Sequence, residues 1–194
     1  MKSKLLLALV IAAAPAMAAP AQTLKPLSTD KAISLALEHT MFSSGGSDIS
    51  TNGITFRFDK VLAPMSNGNY WTWNVGASFA KGEEDLGANG WGNNRTTDID
   101  TMDIFAGVDA NFTVAPRTTI FVGPRMGYST YDVDGANDKT QGLMYGINVG
   151  VRYKLQNYDA NVEVGFRHSW YEWSKAEEGN TEANSIYAGI SIGF

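Results

Sequence analysis

The sequence predicts an all-β fold, an eight-stranded antiparallel up-and-down transmembrane β-barrel, and three observations carry that prediction. Ile186, Ala188, Ile190, Ile192 and Phe194 take every second position of the last ten residues, with Ser185, Tyr187, Gly189, Ser191 and Gly193 between them. A period of two belongs to a strand with one apolar and one small or polar face. Seven earlier runs alternate in the same way, and the connections between runs are by turns long and short, as in a barrel with long loops at one end and tight turns at the other. Glycine gathers on the polar face of these runs, where a narrow interior gives it a packing reason and a solvated surface would not.

The chain opens with Lys2 and Lys4, an apolar stretch from Leu5 to Ala14, and Ala16-Met17-Ala18. A basic start, a short apolar core and a small-x-small cleavage site make residues 1–18 an export signal, too short to cross a membrane as a helix. Its removal takes two lysines and no acid, so the formal charge moves from -5 to about -7. There is no cysteine, which excludes a lipidated cysteine anchor and leaves an exported chain without disulfides. Stability is then expected from backbone hydrogen bonds closed into a barrel.

Residues 19–31, with Pro20 and Pro26, form an extended periplasmic lead-in, and residues 32–194 form the barrel. The first run, Ala32 to Phe42, shows Ile33, Leu35, Leu37 and Met41 on one face. A polar segment from Ser43 to Asn52 leads to Gly53–Leu62, with Ile54, Phe56, Phe58 and Leu62. Asn67-Gly68 is a strong turn dipeptide before Tyr70–Lys81, with Trp71, Trp73, Val75, Ala77 and Phe79. Gly82 to Thr97 reads as the longest loop. Asp98–Phe112 carries Met102, Ile104, Ala106, Val108, Ala110 and Phe112, and a turn at Val114–Arg117 precedes Thr118–Tyr131. After the loop Asp132–Gln141, the run Gly142–Leu155 alternates most cleanly, through Leu143, Tyr145, Ile147, Val149, Val151, Tyr153 and Leu155. Gln156-Asn157 is read as a tight turn into Tyr158–Trp173, and Ser174–Glu182 as the last loop.

Alternation alone does not say which face is outside, because a soluble barrel is the same pattern turned inside out. Gly76, Gly107, Gly123, Gly127, Gly146, Gly150, Gly165, Gly189 and Gly193 all share the polar face, which puts that face in the lumen. Val122-Gly123-Pro124-Arg125, Val149-Gly150-Val151-Arg152 and Val164-Gly165-Phe166-Arg167 repeat V-G-x-R, so an arginine is expected to fold over the space each glycine leaves. Trp71, Trp73, Phe112, Tyr153, Tyr158 and Phe194 would form the periplasmic aromatic girdle, and Tyr128, Tyr145 and Trp170 the outer one. Pro124 lacks a ladder donor and a closed barrel has no edge to hide it. A bulge or broken pairing is expected at Gly123-Pro124.

The same alternation turns Arg57, Arg125, Arg152 and Arg167 inward with Glu38, Asp59, Asp103, Asp109 and Glu163. Counted up from the periplasmic rim, Arg167 and Asp103 fall high. Glu38, Arg57, Arg125 and Glu163 fall near the middle, and Arg152, Asp59 and Asp109 low. Buried charges stay ionised only when paired, so hydrogen-bonded clusters are expected. They fill the lumen as small barrels are normally filled; a gated ion path is the alternative.

The signal sequence, the eight runs, the alternating connections and the terminal Ile192-Gly193-Phe194 resemble the small outer-membrane barrels of the OmpA transmembrane-domain and OmpX kind. The resemblance implies the outer membrane of a Gram-negative-type cell, a periplasmic N-terminus, and Phe194 as part of the signal read by the barrel-assembly machinery. It implies outer-membrane lipid and lipopolysaccharide as surroundings, a monomer, and an unidentified ligand for the surface loops. Unlike in full-length OmpA, no peptidoglycan-binding domain is expected after the barrel.

Lipid A deacylases of this size also resemble the chain locally, with a lipid-facing His, a Ser two residues on and a later acid. Here His168 and Glu182 match, but Trp170 stands where the serine is needed and Ser169 points inward, so no base reaches a nucleophile. In Asp132–Asp138 the glycine comes too early for a calcium loop and no Glu closes it; a solvated acidic turn is expected. No catalytic residue, metal site or cofactor is expected. The outer loops are acidic or near neutral and do not suit nucleic acid. The expected role is a structural or surface-interaction one, adhesin-like, with a narrow porin-like channel and a lipid A-modifying enzyme as alternatives.

Overall fold

The computed structural model describes residues 30–44, 47–88, 94–133, 140–156, 158–174 and 181–194. The export signal, nearly all of the lead-in and residues 134–139 of the acidic turn lie outside the described residues.

Eight antiparallel strands follow one another in chain order, and the last pairs with the first to close the barrel. They are β1 (Lys31–Ser44), β2 (Ser47–Pro64), β3 (Tyr70–Ala88), β4 (Asn94–Ala115), β5 (Thr118–Val133), β6 (Thr140–Lys154), β7 (Ala160–Trp173) and β8 (Thr181–Gly193). Closure runs along a long register, from Ala32↔Gly193 to Ser43↔Glu182. The Phe194 N–H donates to the Lys31 carbonyl at 3.0 Å, so the last residue still belongs to the seam.

The expected orientation holds. Ile147 is 49 % exposed and Val149 39 %, whereas Arg152 and Arg167 are 6 % and 2 % exposed. Apolar side chains cover the outside and charges fill the inside, the arrangement of a membrane barrel.

Strand ends depart from expectation at both ends of the barrel. The segments expected as loops at Ser43–Asn52 and Gly82–Thr97 are mostly ladder: β1 and β2 pair up to Ser44↔Ser47, and β3 and β4 stay paired through Asp85↔Thr96 with one irregular step before Ala88↔Asn94. Apolar periodicity reports contact with lipid, not pairing. A hairpin whose two faces are both wet carries no such signal, yet its backbone bonds continue. At the other end, the connection is longer than the two-residue turn expected at Gln156-Asn157, of which Asn157 lies outside the described residues: β6 stops at Lys154 and β7 starts at Ala160, the Leu155 N–H donates to Ala160 O at 2.9 Å, and Tyr158 sits exposed in the connection. The turn before β3 forms as expected, with Asn67 and Gly68 in the left-handed region at φ 60° and 75°, which Asn and Gly tolerate best.

Pro124 breaks pairing on one side. Its ladder to β6 is regular through Gly123↔Asn148, Pro124↔Ile147 and Arg125↔Gly146. The ladder to β4 passes from Gly107↔Arg125 to Ala110↔Val122 without the two pairs between, and the register does not slip. The missing donor is therefore directed at Val108, with no bulge. A Pro124→Val variant should restore the bond, slowing amide exchange at Val108 and Asp109 and adding about 1 kcal/mol; unchanged exchange there would place the defect elsewhere.

Candidate functional site

The lumen holds two charged layers, not three. In the layer nearer the short turns Arg57 Nε donates to Asp59 Oδ2 at 3.0 Å and Arg57 Nη2 to Glu163 Oε2 at 2.7 Å. Arg152 Nε donates to the same Glu163 oxygen at 3.1 Å and its Nη2 to Asp59 Oδ1 at 3.4 Å. Two guanidiniums and two carboxylates thus alternate in a closed ring. Asp109 lies beside it, accepting from Asn74 Nδ2 at 3.0 Å, while Arg152 Nη1 reaches Asn111 Oδ1 at 3.0 Å.

In the loop-end layer Arg167 pairs with Glu38, and Thr55 donates to the same carboxylate. Asp103 accepts from Ser129 Oγ at 2.6 Å and from Tyr171 OH at 3.3 Å, with Arg125 Nη2 3.9 Å away. Sorting by residue count had set Glu38, Arg57, Arg125 and Glu163 at one middle height. Strand tilt separates them, sending Glu38 and Arg125 to the loop-end layer and Arg57 and Glu163 to the other.

What the arginines cover is not the glycine space itself. Gly76, Gly150 and Gly165 lie directly across the ladder from Phe105, Phe121 and Tyr187, and a Cβ on any of the three would strike that ring. The ring fills the space, a cross-strand aromatic cover for glycine, and the arginine stacks on the ring. Arg152 lies 4.3 Å from the Phe121 centroid, Arg125 4.1 Å from Phe105 and Arg167 4.3 Å from Tyr187. Each V-G-x-R arginine therefore makes a cation–π contact in a site with little water, where such contacts are strongest. Phe105 and Phe121 were legible only as apolar residues one step off the period of their strands.

These layers leave little room. A cavity of about 20 Å³ lies at the short-turn end beside Asp59 and Arg152, and another of about 10 Å³ lies beside Arg125, Asp103 and Glu38. Each is about the size of one water. Among the described residues, Nε and Nη1 of Arg125 and Nε of Arg167 have no hydrogen-bond partner. Above them Phe42, Phe105, Met144, Tyr171 and Ala183 form an apolar cluster with Ile49 and Trp173 against it.

A profile described as the outer membrane protein beta-barrel domain matches residues 5–194. The chain belongs to this outer-membrane β-barrel family. Its strands accordingly cross the outer membrane. Among solved structures, neisserial surface protein A (NspA) is similar at 14% identity and TM-score 0.65, covering 86% of this chain and 98% of its own. OprG from Pseudomonas aeruginosa is similar at 12% identity and TM-score 0.51, over 88% and 99% of the two chains. The outer membrane protein AlkL, determined in lipid bilayers, gives 15% identity and TM-score 0.51, over 91% and 95%. At such identities the likeness is one of fold. A search of curated proteins gives no match.

On the outer-membrane-facing surface, His168 Nδ1 lies 2.9 Å from Asn184 Oδ1, and the Trp170 ring stands edge-on to the imidazole at 4.3 Å. Ser169 is buried on the opposite, lumenal face. Among the described residues no group of His, Asp and Glu is placed to hold a metal ion.

Proposed function

We propose that this outer-membrane barrel is a non-enzymatic anchor, with its N-terminus and short turns in the periplasm and the hairpin ends of β1–β2, β3–β4, β5–β6 and β7–β8 outside as a surface-interaction platform. The observation that carries this reading is the filled lumen: Phe121, Glu163, Tyr187 and Arg167 are all 2 % exposed or less. A side-chain plug stiffens a stalk and offers no aqueous path, which disfavours the channel. The outer ladders support presentation, since paired backbone continues past the apolar band to Glu83↔Asp98 and beyond.

Lipopolysaccharide surrounds the barrel, and the surface ligand is a partner the hairpin tips would select. Closure leaves no edge strand to pair with a second copy, which favours a monomer. Phe194 supports the assembly-signal role by position: its ring is exposed and packs 6.3 Å from Phe58 at the rim where the seam ends. The enzyme alternative has its base held by Asn184 and its neighbouring serine turned inward.

The absence of cysteine makes the test clean. An Asp132→Cys variant should react with a membrane-impermeant maleimide on intact cells and an Asn67→Cys variant should not. The purified barrel should migrate faster unheated than heated and give no discrete conductance in a planar bilayer. Steady ion steps abolished by Arg125→Ala would favour the channel instead.

A further inference from the structure

The basic residues described at the short-turn rim are Lys31, Lys60, Arg117 and Lys154. Two of them are engaged. Arg117 Nη1 donates to Gln156 Oε1 at 3.1 Å, and Lys154 Nζ lies 3.6 Å from Asp159 Oδ1. The other two, Lys31 and Lys60, stand directly opposite each other across β1–β2, and neither ammonium has an ion-pair partner among the described residues. Asp30, beside Lys31 in the chain, turns the other way and lines the lumen mouth with Arg152. Like charges set opposite each other across a ladder repel, a cost that an anion between them removes.

Both lysines face outward, since each alternates with a buried lumenal neighbour, Ala32 and Asp59. They are the centre of a continuous row. Lys60 faces Trp73 on β3, and on the other side the Phe194 N–H donates to the Lys31 carbonyl at 3.0 Å. The order across β8, β1, β2 and β3 is therefore Phe194, Lys31, Lys60, Trp73. One step nearer the barrel middle, Ile33 faces Phe58, and the Phe58 ring lies 5.5 Å from Trp73 and 6.3 Å from Phe194. Three rings thus bracket the lysine pair on both sides and beneath. Lysine stems lie along such apolar surface while the ammonium reaches the boundary.

We infer that this row binds one anionic phospholipid of the periplasmic leaflet, its phosphodiester between Lys31 and Lys60 and its acyl chains over Ile33 and Phe58. The exposed apolar floor, with Ile33 53 % exposed, selects a lipid over a free phosphate. The lysine pair selects a headgroup without a cation of its own. Phosphatidylglycerol brings one negative charge, whereas phosphatidylethanolamine sets an ammonium beside its phosphate and repels the pair. Bound there, the lipid spans the closure seam and ties β8 and β1 to β2. The choice of leaflet rests on the proposed orientation, with the short turns in the periplasm.

The test uses the whole refolded barrel in detergent, titrated with dioleoyl phosphatidylglycerol and separately with dioleoyl phosphatidylethanolamine, binding being read by native mass spectrometry. Phosphatidylglycerol should bind about tenfold more tightly, as two lysines at an anionic headgroup provide. A Lys31→Gln/Lys60→Gln variant should lose that preference with heat-modifiable migration unchanged, and Lys60→Gln alone should lose part of it. Lys31→Arg/Lys60→Arg and Lys154→Gln should both keep it. Equal affinities in the wild type, a preference that survives Lys31→Gln/Lys60→Gln, or the same loss in Lys154→Gln would overturn the site. Displacement of the lipid by inorganic phosphate at constant ionic strength would assign the lysine pair to the free ion and sink the lipid reading. A detergent micelle has no sides, so these arms test the site whatever the orientation; maleimide labelling of Asn67→Cys on intact cells would overturn the leaflet alone.

Discussion

A Glu163→Ala variant is expected to lose about 3–5 kcal/mol of unfolding free energy, the cost of breaking a buried ion pair from one side. Glu163 is 1 % exposed and a single carboxylate oxygen accepts from both Arg57 and Arg152. Its removal leaves two buried guanidiniums sharing Asp59, 5.8 and 4.3 Å from the centroid of the Phe121 ring. Glu163→Gln keeps the shape and one acceptor oxygen but loses the charge, so it should fall between the wild type and alanine. The exposed Lys81–Asp100 pair is the internal comparison: Asp100→Ala should cost less than about 1 kcal/mol, as exposed pairs do. Urea titration in lipid vesicles, followed by tryptophan fluorescence, measures all three. Equal losses at Glu163 and Asp100 would mean that the ring does not frame the lumen.

The inside–outside assignment was legible because it rests on a period that lipid enforces at every second residue, as from Leu143 to Tyr153. Glycine placement resolved the remaining two-fold ambiguity, since Gly150 and Gly165 make sense only against a crowded interior. The break at Pro124 was equally legible, because a missing N–H is a covalent fact. Three features were not. Ser47 to Asn52 carries no alternating grease, so its strand could not be told from a loop. The heights of Glu38 and Glu163 depend on strand tilt, a property of the closed sheet that no single run contains. Finally, the partner that fills a glycine's space lies on another strand. Gly150 announces a gap, but only the register names Phe121 as its occupant.

That last point sets the second large effect, at Gly165. A Cβ there would land on the Tyr187 ring and hydroxyl. The ring cannot retreat: it is 1 % exposed, its hydroxyl donates to Asn148 Oδ1 at 2.8 Å, and Arg167, tied to Glu38, lies on its face. Gly165→Leu should therefore destabilise the barrel by about 3 kcal/mol or more, through overpacking and loss of the Tyr187 hydrogen bond, and should lower the heat-modifiable fraction recovered on refolding. Tyr187→Ala alone should cost a similar amount, by opening a cavity and uncovering the glycine. If the ring and the glycine are one packing unit, the losses will not add. Leucine at 165 takes the space that alanine at 187 vacates, and Gly165→Leu/Tyr187→Ala should recover about 2 kcal/mol relative to the sum of the single variants, as coupled neighbours do. Additive losses would mean that Gly165 is required by the close approach of the β7 and β8 backbones, with Tyr187 only a bystander above it.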